Sequence, residues 1–415
     1  MIVVGDSLFG SKVSNLGFFR GLNDWNEIAF YYALEDGRSG IAKAKLRPRV
    51  TAPQRSPIPA SYHLTEIPPL PGQQISKVAA INQKGQIAGY TERSAFRRTG
   101  DVSQPLNPLP GGEISRAFAI NNKGQVAGDS QYTNSGDIRH ATLWSGGTVK
   151  DLGTLPNWGN YSRARGINLA GQVVGTSGFD KDTTSTHAFI WGPVKGMRDI
   201  GTLGGGYAQA LAINDSGEVT GNSQVPTGVG PPTHAFTWTT GGGMRDLGTI
   251  AGDNSFGTAI NAKGIVVGYS SINNFDNREH AFLYDGVKMH DLGSLGGTSF
   301  YSDRSFAFGV NNSNHVVGGT YRKYNGGALY GIPFIYGNGK MWNLQSLVDD
   351  SGGGYSLGAA LAINDTGKIV VQADGPNGVR AVLLTPNPAV ATATSTESEA
   401  ATDAPDRSNT DGGAE

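Results

Sequence analysis

Four histidines each precede an aspartate by 11 or 12 residues: His140 and Asp151, His187 and Asp199, His234 and Asp246, His280 and Asp291. A carboxylate beside an imidazole can orient a general base. It can equally clamp a hairpin through one hydrogen bond. Four similar pairs, each held in its own blade of a propeller, stand too far apart to build one active site, so the expectation is one clamp per repeat, with nitrogen and oxygen within ~3.5 Å. Other chemistry is sparse. With no cysteine, disulfides, thiolate catalysis and Cys-ligated metals are excluded. H-E-x-x-H does not occur. Asp180, Asp182 and Asp276 carry calcium-type oxygens, but no D-x-D-x-D-G loop holds them, so no metal is expected. The Gly-rich stretch LGGGYAQA (203–210) lacks a P-loop lysine, and no cofactor is expected.

The elements that position these residues recur. AINQKGQIAGY (80–90) returns six more times with motif asparagines Asn82, Asn121, Asn168, Asn214, Asn261, Asn311 and Asn364, spaced by 39 to 53 residues. HATLW (140–144), HAFIW (187–191), HAFTW (234–238) and HAFLY (280–284) sit at a fixed offset, as do DLGTL (151–155), DIGTL (199–203), DLGTI (246–250) and DLGSL (291–295). Each unit thus reads as four short strands, A to D. Four strands in about 47 residues is the size of a propeller blade. The A–B connection is N-x-x-G, a turn in which Asn caps and Gly takes positive φ. Only Asn314 replaces that Gly, and Asn best tolerates the conformation.

The expected fold is therefore all-β, a seven-bladed propeller of four-stranded antiparallel blades over 61–386. The seventh copy has no D strand of its own, and YHLTEIPPLPG (62–72) resembles MRDIGTLGGG (197–206), so an N-terminal strand is expected to close the last blade. Residues 1–46 read either as an eighth blade, with Asn23 as its motif Asn and Met1 to Leu8 as its D strand, or as the stump of an upstream repeat domain. The Pro-rich linker at 47–60 favours the stump. Residues 387–415 hold six acids, one Arg and almost no large apolar group, which predicts a disordered tail.

Of 415 residues 62 are Gly and 16 % are charged, with formal net charge −1. That balance argues against a nucleic-acid binder that works through a broad basic surface. No apolar run reaches the ~20 residues of a membrane span, and the start MIVVGDSLFG lacks the features of a signal peptide. A monomer is expected.

The HAF phrases, followed by DLGTLGG and AIN-x-x-G-x-VVG, resemble the HAF-repeat family of extracellular proteins over about 62–385. Copies 3 to 5 match best, while SAF (94–96), IPF (332–334) and RAV (380–382) depart from the motif. The resemblance implies an exported bacterial repeat protein and no particular reaction. GDSLFGS and GLND resemble the final repeat of N-x-x-G-x-x-x-F tandem-repeat surface proteins, with Asn26 in the Gly place. Both resemblances imply an extracellular or cell-surface location, with the N-terminus truncated if a leader once stood there.

Binding is expected on one face of the disc. Strand C aromatics (Trp144, Phe189, Trp191, Phe236, Trp238, Phe282, Tyr284, Phe334 and Tyr336) alternate and should pack blade on blade. The A–B turns are nearly identical, whereas the B–C loops differ in every copy, and variable loops on a rigid scaffold are where binding resides. The D–A connections on that face add Trp158, Tyr161, Arg163, Tyr207, Phe256, Phe300, Tyr301 and Arg304. Aromatics beside polar groups suit a glycan or protein ligand, and ordinary packing around the mouth is the competing reading. Trp158 is the leading single contact candidate. The function expected is a non-enzymatic binding or adhesion scaffold. The alternatives are a carbohydrate-active propeller enzyme, hydrolase or lyase, with two carboxylates ~5–9.5 Å apart, and a purely structural array.

Overall fold

A computed structural model describes residues 7–8, 11–18, 27–45, 57–133, 138–178, 186–226, 232–275, 278–295, 303–323 and 329–388. Seven four-stranded antiparallel sheets form a ring, the seven-bladed β-propeller expected from the repeat. Blade 1 runs from Lys77–Ile81 to Val102–Leu106, and blade 2 from Ser115–Ile120 to Thr148–Asp151. Blades 3, 4 and 5 start at Tyr161–Ile167, Ala208–Ile213 and Ser255–Ile260 and end at Gly196–Asp199, Gly243–Asp246 and Met289–Asp291. Blade 6 runs from Ser305–Val310 to Lys340–Asn343. Blade 7 comprises Ser356–Ile363, Ile369–Gly375, Gly378–Pro386 and, as its fourth strand, Tyr62–Ile67. That closing strand pairs Ile67 with Ala381 and Tyr62 with Pro386. Seven blades complete the circuit, which leaves no place in it for an eighth. Among the described residues no helix is long and apolar enough to cross a membrane.

Residues at the N-terminus form a further four-stranded sheet, in the order Ser7–Leu8, Ser11–Phe18, Glu27–Leu34, Ser39–Lys45. The expectation of Met1 to Leu8 as its D strand fails. Ser7–Leu8 folds directly onto Lys12 and Ser11 instead of supplying a fourth strand at the far side, and 11–18 supplies a strand that the N-x-x-G pattern does not mark. Asn23 and Asn26 lie outside the described residues.

Blades are held together by the apolar residues of strand C. Both sheet faces are covered by neighbouring blades, so both parities of the HAF phrase are buried. Ala188 and Ile190 pack towards blade 4, and Phe189 and Trp191 towards Ala141 and Leu143 of blade 2. Phe96, Phe189, Phe236, Phe282 and Phe334 repeat one fully enclosed position, each contributing about 2–3 kcal/mol of transfer free energy. The second glycine of the motif has a steric reason. A bulge in strand A presses a carbonyl against Gly89, Gly128, Gly175, Gly221, Gly268 and Gly318, where any Cβ would collide with it.

The motif asparagines do more than cap their turns. Each Oδ1 accepts backbone N–H groups of its own turn, as from Lys84 and Gln86 to Asn82 at 3.0 and 2.9 Å. Each Nδ2 donates to the backbone carbonyl of the motif asparagine in the next blade. The distances are 2.9 Å from Asn82 to Asn121, 2.9 Å to Asn168, 3.2 Å to Asn214, 3.1 Å to Asn261, 3.0 Å to Asn311, 3.2 Å to Asn364 and 3.1 Å back to Asn82. All seven asparagines are buried. In blades 1 to 3 the second Nδ2 proton goes to Gln86, Gln125 or Gln172. Blade 5 has Ile265 there, and Asn314 of blade 6 accepts from Asn261 instead at 3.0 Å. The one replacement of the turn glycine, with φ of 62°, thus takes up the second Nδ2 proton of Asn261.

Changing Asn214 to Asp keeps the turn acceptor, removes the donor and faces a carboxylate to a carbonyl. The expected cost is at least ~2 kcal/mol in urea unfolding; an unchanged midpoint would show that the belt carries no stability. Deleting 62–67 removes three large buried side chains, Tyr62, Leu64 and Ile67. The melting temperature is expected to fall by more than ~10 °C, and a larger fall on deleting 389–415 would contradict closure by that strand.

Candidate functional site

The two ends of the disc differ in kind. At the A–B end the mouth is lined by the asparagine belt and by Ile81, Ile120, Ile167, Ile213, Ile260 and Val310. The repeat leaves this end nearly uniform. The B–C and D–A segments share the other end, as Gly205 N–H bonding to Gln224 and Gly252 N–H to Ser271 demonstrate. Much of the B–C loops lies outside the described residues, as do Asp180, Asp182, Asp276, Phe300 and Tyr301.

The His–Asp pairs form on this loop face. Nδ1 of His140, His187, His234 and His280 lies 2.8, 2.6, 2.8 and 2.9 Å from Asp151, Asp199, Asp246 and Asp291. Each aspartate also accepts the N–H of the glycine two residues on, Gly153, Gly201, Gly248 or Gly293, all at positive φ. The D-L-G phrase is therefore a bend locked by the same carboxylate that holds the histidine. The following Leu155 and Leu203 are tied by N–H to Ser177 and Ser223 of the next blade.

What the imidazoles meet on their other side varies by blade. His140 stacks on Tyr132 at 4.4 Å between ring centroids. His187 stacks on Trp158 at 3.5 Å. Trp158 is thus partly buried against blade 3 and joins the cluster around Phe189, so the leading contact candidate packs between blades. His280 is different again, because its Nε2 lies 2.9 Å from Asp303, which also accepts from Ser294 and pairs with Arg278. One imidazole therefore lies between two carboxylates. Burial is the largest single influence on His280 and works against its charge, yet Asp291 and Asp303 together raise its pKa. Burial likewise opposes ionisation of Asp291 and Asp303, and their bonds to His280 and neighbouring donors outweigh it and lower both.

The remaining candidates surround the inner rim, where strands A of successive blades meet. Arg163 donates from Nε to Asp129 at 2.7 Å, and Arg139 reaches the other oxygen at 3.4 Å. Asp129 is completely buried. Tyr161 is buried beside Arg163, 5.5 Å from guanidinium to ring, and its hydroxyl has no partner among the described residues. Burial pushes its pKa up to about 12. Tyr207 lies at 3.5 Å from the Asn222 amide. Phe256 stacks on Tyr269 at 4.8 Å, and Tyr269 meets Phe306 edge-on at 4.8 Å. Arg304 sits apart from these, near Glu279, whose pKa is raised by burial and eased by that arginine. Asp129, Arg139, Arg165, Asp303 and Glu279 escape motif reading. Their signal is a departure from the repeat, as where YSRARGI (161–167) replaces the neutral AQALAI (208–213).

The pH dependence of the blade 5 cluster follows. A raised His280 pKa contributes stability fully below the unfolded value of about 6.5 and loses it as pH rises through the folded value. The lowered Asp291 and Asp303 contribute above about 3.9 and lose it as pH falls through their folded values. The cluster is expected to stabilise most between about pH 4 and 6.5. The melting temperature of His280→Gln should therefore fall less between pH 6 and 9 than that of the parent. Parallel profiles would remove His280 from the linkage.

No family model matches this chain, and no curated protein matches it. Solved structures match in shape at low identity. A streptogramin B lyase structure aligns with 80 % of this chain and 100 % of its own, at 10 % identity and a TM-score of 0.48. The extracellular domain of a one-component system from B. thetaiotaomicron aligns with 77 % of this chain at 9 % identity and a TM-score of 0.44, and this chain spans 39 % of it. A Trypanosoma rangeli sialidase aligns with 89 % of this chain and 58 % of its own, at 11 % identity and a TM-score of 0.33. At these identities the likeness concerns the fold alone.

Proposed function

We propose that this chain is a non-enzymatic binding scaffold of the HAF-repeat type, acting outside the cell or at its surface, and that it recognises a glycan or protein through the loop face. The observation that carries this reading is the contrast between the two ends. The A–B end repeats one buried amide in every blade, and its residues are committed to neighbouring blades. On the loop face, the residues differ from blade to blade, with Arg163 and Phe256 on rigid strand starts and Tyr207 just before one. Binding groups held by a fixed scaffold lose little entropy on contact. The HAF phrases support the family and its location.

A second reading, a carbohydrate-active enzyme, draws on a single feature. Among the described residues, His280 is the one loop-face imidazole hydrogen-bonded to two carboxylates, Asp291 and Asp303. The full chain, melted against a panel of glycans, is expected to give a saturable rise in melting temperature for one ligand class without turnover of that ligand. Product release that disappears in Asp303→Asn would transfer the assignment to the enzyme. A flat panel on a cooperatively melting protein would overturn glycan recognition.

A further inference from the structure

The residue five before the motif asparagine, at the loop end of strand A, can be compared in blades 1 to 6. It is Lys77 after Ser76, Arg116 after Ser115, Arg163 after Ser162, Gln209 after Ala208, Phe256 after Ser255 and Phe306 after Ser305. Those serines and Ala208 are fully buried. The hydroxyls of Ser76, Ser115, Ser162, Ser255 and Ser305 each accept an N–H from strand C of the preceding blade, at 2.8–3.1 Å. The next residue is thereby fixed at the loop end of the inner strand in those five blades. Blades 1 to 3 put a cation there, blade 4 an amide, and blades 5 and 6 an aromatic ring.

We propose that this rim is a seat for an acidic sugar residue, with the oxyanion held on the arginine arc and the sugar ring against the aromatic arc. The proposal rests on the binding reading above and names its ligand class. Arg163 and Arg165 lie 5.6 and 4.8 Å from the centroid of the same Phe118 ring. Lys77 and Arg116 lie 6.0 and 5.9 Å from that of Tyr90, itself 5.6 Å from Phe118. Asp129 already faces two guanidinia, those of Arg139 and Arg163. Among the described residues Lys77, Arg116 and Arg165 have no carboxylate partner. Arg116 and Arg165 are half-buried, where like charges repel more strongly than in water, and Lys77 is exposed. Consistent with this, burial and the neighbouring Arg163 both push the Arg165 pKa down.

An oxyanion relieves that repulsion and suits the planar donors of arginine, which accept carboxylate or sulfate in bidentate fashion. The Asp129 bond to Nε of Arg163 leaves the terminal nitrogens of that guanidinium without a protein acceptor among the described residues, so the group is oriented before any ligand arrives. Phe256, Tyr269 and Phe306 are partly exposed rings, which offer the flat apolar surface that the carbon face of a sugar needs. Neutral glycans have no group for the cationic arc, and a small inorganic anion has none for the aromatic one.

Isothermal titration of the full chain tests the assignment with three tetrasaccharides: tetragalacturonate, which carries carboxylates, a sulfated carrageenan tetrasaccharide, and neutral galactotetraose. Binding of at least one acidic arm is expected, weakening with added salt, with neutral binding at least tenfold weaker. Which acidic arm binds identifies the oxyanion. Arg165→Gln and Arg116→Gln break no hydrogen bond among the described residues and should fold normally. Each is expected to weaken acidic binding tenfold or more, and Phe256→Ala to weaken it while sparing the salt dependence. Equal binding of acidic and neutral arms, or affinity unchanged in both arginine variants, would overturn the seat and leave the binding scaffold standing. Absence of binding by all three would overturn the seat, and a flat glycan panel beside it would overturn glycan recognition as well.

Discussion

The asparagine belt is the constraint on which the remainder of the ring depends. A propeller must return to its starting point, and small errors in the angle between blades accumulate around the circuit. Here every blade presents one side-chain amide to the backbone carbonyl of the next, and the last returns to the first, from Asn364 to Asn82. The same side chain closes the A–B turn of its own blade through Oδ1. Turn geometry and blade spacing are therefore set by one rigid group. A net hydrogen bond contributes only about 1 kcal/mol, but an unmatched buried carbonyl costs about 1–3 kcal/mol, so the belt enforces its spacing mainly by penalising departures. A second, outer set follows the same logic where the residue allows. Gln83, Leu169, Ala262, Asn312 and Asp365 donate backbone N–H to the side chain one blade on.

Apolar packing sets the distance between blades while the polar groups set their orientation. The fully enclosed phenylalanines and the alanines beside them fill the gaps, and this transfer energy is non-directional. Direction comes from the buried serines and the amides, which bond from one blade to the next. The strongest packing thus tolerates the rotation of one blade against another, and the hydrogen bonds remove that freedom.

The strand order, the seven blades and the closing strand were all legible in the sequence, because backbone requirements repeat visibly. A turn needing positive φ recruits Gly or Asn at one offset, and a strand buried on both faces reads as an apolar run. The His–Asp contacts were legible for the same reason, since a hairpin of fixed length brings them together. Contacts between blades were not. Recurrence at 39 to 53 residues identifies equivalent positions without saying which atoms meet, so the Nδ2 donation was hidden behind a turn-capping role. Trp158 illustrates the same gap. Its type suggests an exposed contact, and only the fold places His187 of the next blade against its face. Asp129 is further hidden, because its two arginines stand 10 and 34 residues away in no repeated pattern. The N-terminal sheet departs from the repeat, and pattern matching placed its strands wrongly.

Repetition itself locates where a site can develop. A ring of identical blades places identical charges at equal intervals, and such a field has no preferred side for a ligand to orient against. Directionality requires blades to differ. At the A–B end each motif asparagine faces both neighbours, so a change there would disturb two interfaces. At the loop end the buried serine carries the contact between blades, and the residue beside it is released from that duty. That neighbouring position can hold a cation in blades 1 to 3 and a ring in blades 5 and 6 at no cost to closure. The polarity of the rim thus arises from a division of labour between two adjacent residues, one fixing the blade and the other facing the mouth.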